Sequence, residues 1–162
     1  MHGNKLKVTG TEIKEGATLP SFTLTGNDMT DVAASKFAGK VLIVLSVPSL
    51  DTPVCALEAK RFNKEATDLS SDVTILCVSR DLPFAQKRWC AAEGATRVVT
   101  ASDFKYRTFG QQFGTELPDL GLLARAVFVA DKSGKITFVD YVTEVAEEPK
   151  YDEVLAAVRK LL

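Results

Sequence analysis

The chain alternates between short unbroken apolar runs and longer segments in which apolar positions return every three or four residues. Residues 41–47, VLIVLSV, and 73–79, VTILCVS, are strand-length runs that predict strands buried on both faces. Between them, Cys55, Ala59, Phe62, Ala66 and Leu69 form one stripe at helical spacing and predict a helix over 53–69. A shorter helix is predicted over 83–93, with Leu82, Ala85, Trp89 and Ala92 as its apolar stripe and Gly94 as its C′ residue. A brief strand follows at 97–100, RVVT, and a short helix within YRTFGQQFG. Residues 125–130 and 135–143 flank Asp131-Lys132-Ser133-Gly134 as an antiparallel hairpin. Apolar residues at 154, 155, 158, 161 and 162 make YDEVLAAVRKLL an amphipathic closing helix. Upstream, KLKVTGTEIKEG alternates around Thr9-Gly10 and predicts an N-terminal β-hairpin. SFTLTG reads as a further short strand before the turn residues Gly26-Asn27-Asp28.

Strand, helix, strand, helix, hairpin and helix in succession give an α/β architecture: a mixed central sheet flanked by helices. The pattern suits a thioredoxin-like fold and leaves other α/β folds open. A chain of 162 residues suits one domain over 1–162. A core of that size needs no disulfide staples.

Charge narrows the function. Lys and Arg number 20 against 21 Asp and Glu, and they are scattered, so neither a nucleic-acid face nor a polybasic membrane anchor is expected. The longest apolar run, of about eight residues, is far below the roughly 18 that a membrane span needs. MHGNKLKVTG has no hydrophobic signal region, and the expected compartment is the cytoplasm. Three cysteines are an odd count for a disulfide framework, and the only histidine is His2. A Cys–His nucleophile pair and a Cys/His zinc site both lack their parts, so no metal is expected.

The stretch PSLDTPVC sets a cysteine where strand hands over to helix. Pro53 fits the first helical position, which makes Thr52 the N-cap and puts Cys55 at N3. Free backbone N–H groups and the positive helix end favour a thiolate there. Asp51 and Glu58 oppose it, so a strong effect needs a nearby cation. Cys55 also lies on the core-facing stripe, and on the residues alone a reactive thiolate and a small packed hydrophobe are both open. Cys90 falls on the polar side of its helix, beside Gln86, Lys87 and Glu93, where a thiol suits chemistry better than packing. Cys77, inside a doubly buried strand, reads as inert core. Arg125 opens an apolar strand and on pattern alone is a solvated flank.

Pro48, Thr52 and Cys55 match the active-site pattern of the peroxiredoxins, and DLPFAQKRWCAAEG and LLARAV resemble segments of the thiol peroxidases, the atypical two-cysteine branch of that family. The resemblance runs over essentially the whole chain. It implies a thiol-dependent peroxidase acting on hydrogen peroxide and organic hydroperoxides, with Cys55 as peroxidatic nucleophile and Cys90 as resolving cysteine. It implies further that Thr52 and Arg125 bind the peroxide, that Arg125 lies against the sulfur, and that Pro48 shields the pocket. The expected product is an intramolecular Cys55–Cys90 disulfide reduced by thioredoxin in a homodimer, without metal, flavin or haem. Two other functions stand beside it: a thiol–disulfide carrier, which lacks its C-x-x-C pair here, and a redox sensor on the same fold.

Overall fold

The structure is a computed structural model and describes residues 5–66, 68–143 and 147–162, so His2 lies outside the described residues. In chain order the strands are β1 (Thr23–Gly26), β2 (Asp31–Ala33), β3 (Val41–Ser46), β4 (Val73–Ser79), β5 (Val98–Ser102), β6 (Glu116–Leu117), β7 (Leu122–Leu123), β8 (Ala126–Ala130) and β9 (Ile136–Tyr141). The helices are α1 (Pro53–Ala66), α2 (Pro83–Glu93), α3 (Phe109–Phe113) and α4 (Tyr151–Arg159).

Seven strands form one mixed sheet in the order β2-β1-β5-β4-β3-β8-β9. β3, β4 and β5 run parallel, and β8 and β9 are added antiparallel beyond β3. Strand residues alternate between faces, which is why the central runs are apolar throughout. Ile43, Leu45, Ile75, Cys77, Val127 and Val129 join a core with Phe62 of α1, Trp89 of α2 and Val154 of α4. Leu42, Val44, Leu76, Val78 and Phe128 turn the other way, toward Phe22 and the α3 phenylalanines Phe109 and Phe113. The crossovers β3–α1–β4 and β4–α2–β5 step the same way across the sheet, so both cysteine-bearing helices cover one face. No helix among the described residues is long and apolar enough to cross a membrane.

Three expectations need correction. Residues around Thr9-Gly10 do not pair into a hairpin: Thr9 bridges Glu116, and Thr18 bridges Lys135. Gly10 is needed for close approach, since a Cβ there would meet the backbone of Gly110 and Gln111 within 2.9 Å. The N-terminal hairpin is β1–β2 instead, turned at Gly26-Asn27-Asp28. Helix α1 stops at Ala66, short of Leu69, which still packs against the core. The buried side of α2 is Pro83, Gln86 and Trp89, while Leu82 is 51% exposed and Ala92 also faces out. Both hydrogens of the Gln86 amide nitrogen are used inside the protein, donated to Ser79 Oγ and to the Ala101 carbonyl, while its Oε1 is buried with no hydrogen-bond partner among the described residues.

Candidate active site

β3 delivers the chain through buried Pro48 into a tight turn over 49–52. The Ser49 carbonyl accepts from the Thr52 amide at 3.2 Å and from the Thr52 hydroxyl at 2.9 Å. The Thr52 carbonyl accepts from the Ala56 amide at 3.0 Å, the first bond of α1. Thr52 is therefore the N-cap and Cys55 sits at N3, as the spacing predicts. The Thr52 hydroxyl donates its hydrogen to the Ser49 carbonyl. Its lone pairs remain available as acceptors.

Arg125, immediately before β8, is 1% exposed, the largest of the fully buried side chains, and the solvated flank suggested by pattern is overturned. Its Nη2–H donates to Cys55 Sγ at 3.0 Å, and its Nη1–H donates to Glu58 Oε2. The guanidinium is thus shared between sulfur and carboxylate, and is placed to stabilise negative charge on the sulfur. Partners of this kind hold Arg125 charged against burial, which alone would lower its pKa.

Glu58 is not the free opposing charge that its position suggested. It is fully buried one turn beyond Cys55, with Oε1 lacking a hydrogen-bond partner among the described residues. Burial pushes its carboxyl up from 4.5 to about 7, with Arg125 pulling the other way. A carboxyl raised in this way stays protonated in the folded chain over a range where the unfolded chain has lost its proton. Its contribution to stability therefore falls as pH rises from 4.5 toward about 7 and levels off above. Glu58→Gln should remove this fall. Urea unfolding of reduced protein at about pH 5 and about pH 8 should show the variant gaining roughly 2–3 kcal/mol on wild type between them. An unchanged difference would contradict the assignment.

Cys90, in the last turn of α2, is half-buried rather than on an open polar face. Its Sγ lies 3.4 Å from Thr100 Oγ1, whose hydroxyl donates to Asn27 Oδ1 at 3.0 Å. With that single hydrogen committed, the Cys90 S–H must be the donor to Thr100. The sulfur borders an open cavity of about 400 Å³ lined by Asn27, Asp28, Lys36 and Val99. Cys77 is 1% exposed inside β4, and burial pushes its thiol well above the ordinary range, which leaves it inert. All three cysteines are free.

The site joins a buried cysteine at a helix start, a guanidinium on its sulfur, an acceptor hydroxyl and a second thiol on the same face of the sheet. Among the described residues no group of three His, Cys, Asp or Glu is placed to hold a metal. The arrangement suits sulfur nucleophilic and redox chemistry. Sequence reasoning missed the Arg125–Glu58 pair and the Thr100–Asn27 chain. Glu58, three residues after Cys55, stands on its helix face and offered a signal for the first. Nothing in the sequence pointed to the second.

The sequence matches the Redoxin family over residues 14–155. A Clostridium acetobutylicum protein named thiol peroxidase is 48% identical over 157 residues, covering 97% of this chain and 94% of that protein. One of the same name from Oceanobacillus iheyensis is 49% identical over 151 residues, covering 93% and 92%. The crystal structure of a peroxiredoxin-like protein from Aquifex aeolicus superposes with a TM-score of 0.91 at 41% identity, covering 99% of this chain and 95% of that one.

Proposed function

The chain belongs to the Redoxin family and is a peroxiredoxin-type thiol peroxidase of thioredoxin-like fold, and from that premise we propose that Cys55 is its peroxidatic nucleophile and Cys90 its resolving cysteine. The enzyme reduces a hydroperoxide at the expense of a thiol reductant. The observation that carries the residue assignment is the 3.0 Å contact from Arg125 Nη2 to Cys55 Sγ at the third position of α1.

In this reading the Cys55 thiolate attacks the distal oxygen of ROOH. An S–O bond forms as the O–O bond breaks, and the alkoxide leaves to take a proton from water. Arg125 donates to the sulfur and to the developing charge on the peroxide oxygens. Thr52 accepts the hydroperoxide's own hydrogen, its hydroxyl hydrogen being held by Ser49. Pro48 shields the sulfur. Cys90 then attacks the Cys55 sulfenic acid, forming a disulfide and releasing water. A dithiol, which we assign to thioredoxin, reduces that bond and is itself oxidised.

Cys90 is tied to β5 through Thr100, while Cys55 is tied to Arg125 at the start of β8. Strands β4 and β3 intervene, three inter-strand spacings or roughly 14 Å. A disulfide needs Cα atoms within about 7 Å, so the start of α1 and the region of Cys90 must unwind before closure. We further assign the enzyme to the cytoplasm, as a homodimer with its partner near the active site.

The test is NADPH oxidation with thioredoxin and its reductase, run with hydrogen peroxide and with a bulky alkyl hydroperoxide. Sustained oxidation that depends on hydroperoxide is expected. Reduction of insulin disulfides without peroxide would indicate a carrier instead. A single turnover that then stops would indicate a sensor.

A further inference from the structure

We propose that Asp81 is a positioning residue that clamps both cysteine-bearing segments in their folded state, holding the peroxide-reactive geometry and delaying disulfide closure. The proposal rests on the assignment of Cys55 and Cys90 given above.

Asp81 lies between the end of β4 and the start of α2, and both oxygens of its carboxylate accept hydrogen bonds. Oδ1 accepts from the Ser49 hydroxyl at 2.6 Å. Oδ2 accepts from the Leu50 amide at 2.8 Å and from the Ser79 hydroxyl at 2.7 Å. Two of those donors belong to the turn that starts α1. Ser49 passes the restraint onward, because its carbonyl holds the Thr52 hydroxyl at 2.9 Å. Asp81 thereby sets the direction in which Thr52 offers its lone pairs, although it touches neither substrate nor sulfur.

The other side of the clamp runs to Cys90. Ser79 Oγ accepts from Gln86 Nε2 at 3.0 Å, and Gln86 is buried in α2 one turn before Cys90. The Asp81 carbonyl accepts from the Ser102 hydroxyl, which fixes the clamp to β5. One carboxylate thus joins the turn before Cys55 to the helix of Cys90. Both must loosen for the two sulfurs to meet.

Three donors converge on the two oxygens of the carboxylate. In an asparagine of the same shape the amide oxygen can take the place of Oδ2, but the N–H₂ then faces the Ser49 hydroxyl, which has to turn round and accept, and the bonds that remain lose their charged acceptor. Because hydrogen bonds to a charged group are among the stronger ones, their loss should shift the folded-to-unwound balance by at least about tenfold.

The experiment follows one turnover of full-length reduced protein mixed with one equivalent of hydrogen peroxide. Trp89, the only tryptophan, is buried beside Cys90 and reports closure by fluorescence, while acid quench with alkylation and peptide mapping measures each sulfur species. In Asp81→Asn, loss of peroxide should slow by about tenfold and formation of the Cys55–Cys90 bond should quicken by about tenfold. Ser49→Ala should show the same split, smaller in size, and decides the matter if Asp81→Asn does not fold. Rates that fall together, or that do not change, would overturn the clamp while leaving the cysteine assignment intact. Absence of a Cys55–Cys90 bond in the wild type would overturn the assignment and the clamp with it.

Discussion

Arg125→Met is expected to slow peroxide consumption by about 10²–10³-fold, because in the proposed mechanism the guanidinium that donates to Cys55 Sγ also meets the charge that develops during attack. Methionine fills similar volume without a donor, so the loss is electrostatic rather than a cavity effect. The same substitution strands Glu58, which is fully buried and has Arg125 as its cation. Removing one partner of a buried pair costs about 3–5 kcal/mol, and the carboxyl limits that cost by keeping its proton. Destabilisation should therefore be greater at about pH 8 than at about pH 5. Arg125→Lys should recover little activity, since a single ammonium cannot bond sulfur and carboxylate together as the two-ended fork does. Stopped-flow peroxide consumption and urea unfolding of the reduced variants check both claims. Wild-type rates in Arg125→Met would remove the guanidinium from the chemistry.

The cysteine variants should separate by step. Cys55→Ser should lose peroxide turnover by at least about 10³-fold, because an alcohol at that place is not ionised and cannot take up the peroxide oxygen. Cys90→Ser should consume one equivalent of peroxide at a near-normal rate and then stop, with Cys55 held as sulfenic acid. Cys77→Ala should turn over as wild type does, since Cys77 lies sealed within β4. Thioredoxin-coupled NADPH oxidation measures the steady state and single-turnover mixing measures the first step. Equal loss of the first step in Cys55→Ser and Cys90→Ser would contradict the division of labour.

What the sequence made legible was local. The apolar runs at 41–47 and 73–79 announced their strands because both faces of β3 and β4 are covered. Thr52-Pro53 announced the start of α1 because a proline at N1 and a hydroxyl at the N-cap answer needs of the backbone itself. Arg125 was not legible from pattern. Its burial depends on Cys55 and Glu58, which lie about 70 residues away in sequence and reach it only through the β3–β8 pairing. The family resemblance placed it at the sulfur, where periodicity would have put it in water.

The face of α2 was misread for a related reason. Gln86 counts as polar in any pattern, yet Ser79 and Ala101 accept both hydrogens of its amide nitrogen inside the protein, and the buried stripe rotates toward it. The same rotation brings Cys90 against Thr100 instead of into solvent. The misplaced N-terminal hairpin shows the limit of alternation as a signal. Residues around Gly10 alternate as a strand would, but their partners are Glu116 and Gln111, far along the chain. Short polar segments without a local turn are recruited by whatever backbone lies open beside them.

The most direct measurement of the central claim treats fully reduced protein with one equivalent of hydroperoxide, alkylates the remaining thiols in acid and maps the peptides. The account predicts a disulfide between Cys55 and Cys90 of the same chain, with Cys77 recovered as an alkylated thiol. A Cys55–Cys77 bond, a bond between two chains, or a Cys55 that remains alkylatable after the peroxide has been consumed would contradict it.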